Sequence, residues 1–194
     1  MTQNVTVKCV MVGDSGVGKS ALALSFVKGY VPRNITSTIG TSFLVQNVYV
    51  GKHKIPIEIW DTAGQERYRC LTRLYYRDAN VVLIMFDLSL PIQKKNIYYW
   101  INEINENCEC TKNYIIGTKN DLPINLETYK KLINIAQKKQ LDFISTSAIT
   151  RKNINTLFSQ IAQTQLPKIK INKNKIQIQE KQLENASLLK MFCC

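Results

Sequence analysis

No apolar run in this 194-residue sequence is long enough to cross a bilayer. The longest purely aliphatic or aromatic stretch, Val81 to Phe86, falls far short of the roughly 20 residues that a spanning helix needs. The N-terminus, Met-Thr-Gln-Asn, has no apolar signal region, and Thr2 stands where myristoylation requires glycine. Synthesis and folding in the cytosol are the expectation. Histidine occurs once, as His53, and is expected to be an exposed side chain at a turn. The six cysteines form no disulfide framework. Cys9 reads as a small core residue and Cys70 is isolated, while Cys108-x-Cys110 has neither a second pair nor a nearby histidine. Zinc is therefore not indicated, and a surface loop with free thiols is expected. Acidic residues are few, 14 against 26 basic ones, for a net charge of +12. The lysines are scattered, without an arginine-rich or aromatic-interleaved cluster, so nucleic acid is not expected as a partner. What remains is 45% hydrophobic and 21% charged, in a chain sized for one compact domain and a tail.

Against this background one stretch stands out, Gly13-Asp14-Ser15-Gly16-Val17-Gly18-Lys19-Ser20. It matches G-x-x-x-x-G-K-[ST], which carries meaning only between a strand and a helix. Val7 to Val12 is a short valine-rich run suited to a buried strand, and Ala21 to Val27 continues with Leu22 and Phe26 at helical spacing. Glycines let the backbone wrap until its N–H groups face one anion, and the following helix aims its positive end at the same point. Lys19 is placed to neutralise outer phosphates, and the Ser20 hydroxyl to ligate Mg²⁺.

The rest of the chain alternates. Phe43 to Val50 and Ile55 to Trp60 read as a hairpin turning at Val50-Gly51-Lys52, the one antiparallel pair expected. A short helix is expected to end near Tyr76. Val81 to Asp87 is a nearly continuous apolar strand, as in the middle of a parallel sheet. Ile97, Trp100, Ile101 and Ile104 mark a helix with one buried face, and Tyr114 to Gly117 a strand. Tyr129, Leu132, Ile133 and Ala136 mark the next helix, Leu141 to Ser145 the last strand, and Ile154, Leu157, Phe158 and Ile161 the last helix. The pattern predicts an α/β fold, a six-stranded mainly parallel sheet with one antiparallel edge strand and helices on both faces. Ligands of such sheets sit at the carboxyl ends of the strands. The glycine-rich loop, Asp61-Thr62-Ala63-Gly64-Gln65-Glu66, Thr118-Lys119-Asn120-Asp121 and Ser147-Ala148 all follow strands. Residues 1–166 are read as this domain and 167–194 as a flexible basic tail. Pro167 to Phe192 holds six lysines and two glutamates, a net +4, before Cys193-Cys194.

These blocks, in this order and spacing, resemble a small Ras-like GTPase with the P-loop NTPase fold. Trp60 to Tyr68, Tyr75-Tyr76-Arg77 and the terminal Cys193-Cys194 make the chain similar to a Rab over residues 7 to 166 and at the C-terminus. Ser20-Ala21-Leu22, Phe26 to Gly29, Thr38-Ile39-Gly40, Phe43-Leu44 and Leu166-Pro167-Lys168 resemble the early-endosome branch. The resemblance implies a slow GTPase switch of vesicle traffic, with GTP or GDP and Mg²⁺ as ligands. Asp14, Ser15, Gly16, Val17, Gly18, Lys19, Ser20 and Ala21 would hold the phosphates. Ser20, Thr38 and Asp61 would serve the metal, the Gly64 amide the γ-phosphate, and Gln65 the attacking water. Asp121 would pair with guanine, Lys119 would lie along the base and tie to the P-loop, and the Ala148 amide beside Ser147 would meet the guanine oxygen. Phe43, Trp60 and Tyr75 match an aromatic triad offered to effectors, with a core role for Trp60 as the plain alternative. Cys193 and Cys194 would carry geranylgeranyl groups, placing the protein on the cytoplasmic face of endosomal membranes and cycling it with the cytosol.

Implied partners are an exchange factor, a GTPase-activating protein, a GDP-dissociation inhibitor, an escort protein with its prenyltransferase, and effectors; a monomer is expected. Three positions depart from the family around the base. Thr118 replaces the usual asparagine, Ile149 a lysine, and Val31 an aromatic ring. Each change is expected to remove a contact, and together they would speed nucleotide release. Asp78 replaces a usual glycine without a functional reason. Other readings are a GTP-dependent scaffold with weakened guanine affinity and little hydrolysis, and a P-loop ATPase or kinase, which Lys119 and Asp121 disfavour.

Overall fold

The computed structural model describes residues 6–34, 38, 40–64, 69–110 and 112–164. In chain order the elements are β1 (Val7–Val12), α1 (Lys19–Lys28), β2 (Thr41–Val50), β3 (His53–Thr62), α2 (Arg69–Tyr76) and β4 (Val81–Asp87). They continue with α3 (Lys94–Asn107), β5 (Lys112–Thr118), α4 (Leu126–Lys139), β6 (Asp142–Ser145) and α5 (Ile154–Gln163). One six-stranded sheet has the order β2-β3-β1-β4-β5-β6. Only β2 runs antiparallel to its neighbour, pairing Thr41 with Thr62 through Val50 with His53. The other pairings are parallel.

Strand alternation builds two cores. Val7, Cys9 and Met11 of β1 and Val81, Leu83 and Met85 of β4 point to one face, where α1 and α5 close over them. Val10 and Val12, with Val82, Ile84 and Phe86, point to the other face, beneath α3 and α4. Every residue of β4 is buried, and Val81 to Phe86 is accordingly apolar without alternation. Phe26 of α1 stacks on Phe158 of α5, ring centres 3.6 Å apart, and joins the two helices of the first face.

Helix α4 corrects one expectation. Its buried face is Thr128, Leu132, Ile135 and Ala136, while Ile133 is half-buried. Thr128 is buried because its hydroxyl donates to the Leu90 carbonyl at 2.8 Å and accepts from the Ile92 amide at 3.0 Å. The Asn125 side chain caps the helix by accepting from the Thr128 amide at 2.9 Å. Three further expectations change. Cys108 and Cys110 carry free thiols in the loop after α3, as expected, but are half-buried there: the Cys110 thiol donates to Asn113 at 2.7 Å and the Cys108 thiol faces the Tyr76 carbonyl at 3.5 Å. His53 is half-buried at the start of β3. Asp78 has φ +58°, a left-handed conformation, which accounts for the glycine usual at that position.

Candidate functional site

The loop between β1 and α1 wraps around the end of Lys19. This lysine is only 6% exposed, and its Nζ donates to the carbonyls of Gly13 and Asp14, each at 2.9 Å. Burial lowers its pKa to about 8, while the nearby Asp61 and Asp14 carboxylates pull the other way. A cavity of about 290 Å³ opens over the loop, lined by Ser15, Gly16, Gly18, Lys19, Ser20 and Ala21 with Thr38, Thr62, Gly64 and Lys119. Gly64 packs directly on the loop. A Cβ there would collide with Lys19 Nζ and with the backbone of Asp14 and Ser15. Only glycine lets the segment after β3 come this close. Gln65 lies outside the described residues.

Oxygen donors converge beside the lysine. The Ser20 and Thr38 hydroxyls are 2.8 Å apart, and Thr38 donates to Asp61 Oδ2 at 3.2 Å. Ser42, which sequence reasoning missed, adds a longer contact to the same oxygen at 3.4 Å. Asp61 is 2% exposed, and its Oδ1 is buried with no hydrogen-bond partner among the described residues. Burial pushes this carboxyl above the ordinary carboxylate range, against the Ser20, Thr38 and Ser42 hydroxyls and the Lys19 ammonium, which lower it. A buried carboxylate oxygen lacking a partner, next to two hydroxyls, is the donor set of a hard divalent cation such as Mg²⁺.

A second cavity, about 250 Å³, continues from the first through Gly18, Ala21 and Lys119. Leu22, Thr118, Asp121, Leu122, Thr146, Ala148 and Ile149 complete its mostly apolar wall. Asp121 Oδ1 accepts from the Ser147 hydroxyl at 2.5 Å, and Ser147 Oγ in turn accepts from the Thr150 amide at 3.0 Å. The carboxylate is thereby fixed at the rim of a slot suited to a planar base. Leu122 was not anticipated, because nothing in its type or spacing separates it from a core leucine. Val31 is half-buried in the loop after α1 and is not among the residues lining the slot.

The model of the Ras family matches residues 8–166. The Ras-related protein Rab-5B of Plasmodium falciparum is 38% identical over 165 residues, covering 82% of this chain and 78% of the relative. The Ras-related protein SEC4 of Saccharomyces cerevisiae is 33% identical over 167 residues, 86% and 78% of the two chains. The GTP-binding protein ypt5 of Schizosaccharomyces pombe is 38% identical over 159 residues, 80% and 75%. This chain is a Rab-family small GTPase. Hydrolysis of GTP to GDP and phosphate is the reaction of its family.

Two contacts of this small GTPase bear on residues beside the slot. Thr118 is tied to the P-loop. Its hydroxyl donates to the Val17 carbonyl at 2.6 Å, with the Phe86 carbonyl at 3.0 Å. Lys119 pairs with Asp87 at 2.6 Å, where a tie to the P-loop was expected. Burial alone would raise the Asp87 carboxyl, but Lys119 and Ser89 more than offset this and hold it below its ordinary value. Ile149 is 67% exposed at the rim of the slot.

The three aromatic residues of the Rab resemblance meet at the surface. Phe43 lies 5.0 Å from Trp60 and Trp60 5.5 Å from Tyr75, between ring centres. Phe43 is half exposed and Trp60 half-buried, so the indole is neither a core residue nor a free one. Lys8 sits 4.9 Å from the Trp60 ring and donates to the Arg77 carbonyl at 2.6 Å, a support that the sequence pattern did not indicate. Cys193 and Cys194 lie outside the described residues.

Proposed function

We propose that this Rab-family GTPase is a guanine-nucleotide switch of vesicle traffic on the endocytic route, anchored by geranylgeranyl groups on Cys193 and Cys194. The observation that carries the switch is the meeting of Ser20, Thr38 and the unpartnered Asp61 oxygen beside buried Lys19.

Lys19 and the amides of residues 14–21 take the phosphates in the first cavity. Ser20 and Thr38 would hold Mg²⁺, with Asp61 behind them; the cation supplies charge compensation for the phosphate oxygens. Thr38 stands in a segment between α1 and β2 and Gly64 in the segment after β3, and both line the cavity. Both answer to whether a γ-phosphate is present, which makes the two segments the reporting surfaces of the switch. Gln65 orients the attacking water. No arginine of the chain is assigned to the transferring phosphoryl, so intrinsic turnover is slow. An activating protein that supplies one raises the rate about 10³–10⁵-fold. Asp121, held by Ser147, takes the two hydrogens of the guanine edge, which adenine cannot offer. The Ala148 amide takes the guanine oxygen. Lys119 lies along the base, anchored by Asp87. Phe43, Trp60 and Tyr75 form the surface that effectors read. Exchange factor, dissociation inhibitor, and escort protein with prenyltransferase complete the partners.

Displacement of fluorescent GDP from residues 1–168 by GTP and GDP but not ATP, dependent on magnesium, is the expected result. Equal displacement by ATP would overturn the guanine assignment. Retention of GDP at full affinity in excess chelator would overturn the role of the Ser20, Thr38 and Asp61 cluster.

A further inference from the structure

Two contacts outside the phosphate site hang the loop after β6 on helix α1. The buried Ser25 hydroxyl of α1 donates to the Ala148 carbonyl at 2.7 Å. The Arg151 Nη1 donates to the Gly29 carbonyl at 3.0 Å. Gly29 is the left-handed cap of α1, with φ +82°. A Cβ there would stand 2.8 Å from Arg151 Nη1, so glycine leaves the guanidinium room to lie against the helix end. A cation is also favoured at that end, where the helix dipole is negative.

Arg151 itself has φ +60°, a conformation that costs an L side chain energy and persists only where its surroundings hold it. The loop between the two anchors is closed on itself. The Ser147 amide donates to the Lys152 carbonyl at 3.2 Å, and the Thr150 amide to Ser147 Oγ at 3.0 Å. Residues 147–151 are thus a preformed turn fastened at two points to the same helix that begins in the P-loop. Its neighbours on the slot offer little other support, since Ile149 is largely exposed and Val31 does not line the wall.

We propose that Ser25 and Arg151 form a two-point clasp that positions the base-contacting turn on bound guanine nucleotide and sets its rate of release. Neither residue lines the base slot; both are positioning residues acting through Ala148 and Ser147. The inference rests on the guanine reading of the slot above.

Release of fluorescent GDP from the full chain tests it, with Ser25→Ala and Arg151→Gly as variants. Arg151→Gly separates the clasp from general stability, because glycine relieves the left-handed strain while removing the donor. The clasp predicts that Arg151→Gly melts no lower than wild type yet releases GDP about two- to tenfold faster. Ser25→Ala accelerates release by a similar factor, and association rates change less than release rates, since variants of one site differ mostly in dissociation. Arg151→Lys, which restores a cationic donor, recovers part of the slow release. Wild-type release rates in both Ser25→Ala and Arg151→Gly would overturn the clasp and leave the guanine site standing. No guanine-nucleotide binding by the wild-type chain would remove the guanine reading and the clasp with it.

Discussion

Thr118 shows how one hydroxyl can do an amide's work. It donates to Val17 at 2.6 Å across 101 residues of chain, joining the end of β5 to the P-loop. Of the three departures around the base, then, Thr118 keeps a bond to the P-loop, and the expected loss of contacts would rest on Val31 and Ile149. Thr118→Ala leaves the Val17 carbonyl without this donor, a loss of about 0.5–1.5 kcal/mol. GDP release should rise about two- to tenfold, whereas Thr118→Asn should stay within about twofold of wild type. Unchanged release from Thr118→Ala, by the same fluorescence assay, would mean that the tie carries no energy. The sequence marks Thr118 as an exception but not its bond, because a hydrogen bond over such a separation is fixed by the fold rather than by spacing. The same limit hid the partners of Lys119 and Asp61. Asp87 and Ser42 are ordinary strand residues until β4 lies beside β5 and β2 beside β3. By contrast Lys19, Ser20 and Asp121 were legible, since their chemistry is written in a local motif that sits next to a strand end.

At the scale of elements, legibility followed burial. Helices α3 and α5 bury the residues that their periodicity names, Ile97, Trp100, Ile101 and Ile104 in one, Ile154, Leu157, Phe158 and Ile161 in the other. Strand β4 reads without ambiguity because both its faces are covered. Helix α4 was harder. Ile133 and Ile135 flank the same stripe, and the 3.6-residue period is met by a face containing either. The polar Thr128, buried for its two loop hydrogen bonds, decides the rotation and carries no hydrophobic signal. The end of α4 also departs from preference. Gln140 is its cap at φ +54° and ψ +37°, with its amide bonded to the Ala136 and Gln137 carbonyls. Glycine takes this conformation without the steric penalty and keeps both backbone bonds. Gln140→Gly should therefore stabilise the nucleotide-loaded protein by about 1 kcal/mol. That corresponds to about 2–4 °C in thermal midpoint for a domain of this size. Gln140→Ala retains the Cβ and should give no such gain; equal stabilisation by both would show that the backbone conformation is not the cause.

For the molecule as a whole, sheet order places the loops after β1, β3, β5 and β6 at one edge, which is why four motifs separated by over a hundred residues become one site. The described residues end at Thr164, and the sequence beyond them adds charge and the terminal cysteines. If Cys193 and Cys194 carry the proposed lipids, membrane attachment should obey two separable physical rules. Two lipid chains hold a protein stably to a bilayer and one holds it marginally, at about 0.8 kcal/mol per buried methylene. Lysines near an anionic surface add about 1 kcal/mol each and are screened by salt. Chain prenylated in eukaryotic cells should therefore float with neutral phosphatidylcholine vesicles regardless of salt. Cys193→Ser, limited to one lipid, should leave neutral vesicles yet remain on vesicles containing phosphatidylserine at low salt, and wash off as salt rises. The tail's net +4 makes that rescue electrostatic, so replacing its six lysines with glutamine should abolish it without touching the doubly modified protein on neutral vesicles. Salt-independent binding of Cys193→Ser to neutral vesicles would refute the two-chain requirement. Equal flotation of unmodified bacterial protein would remove lipidation from the account altogether.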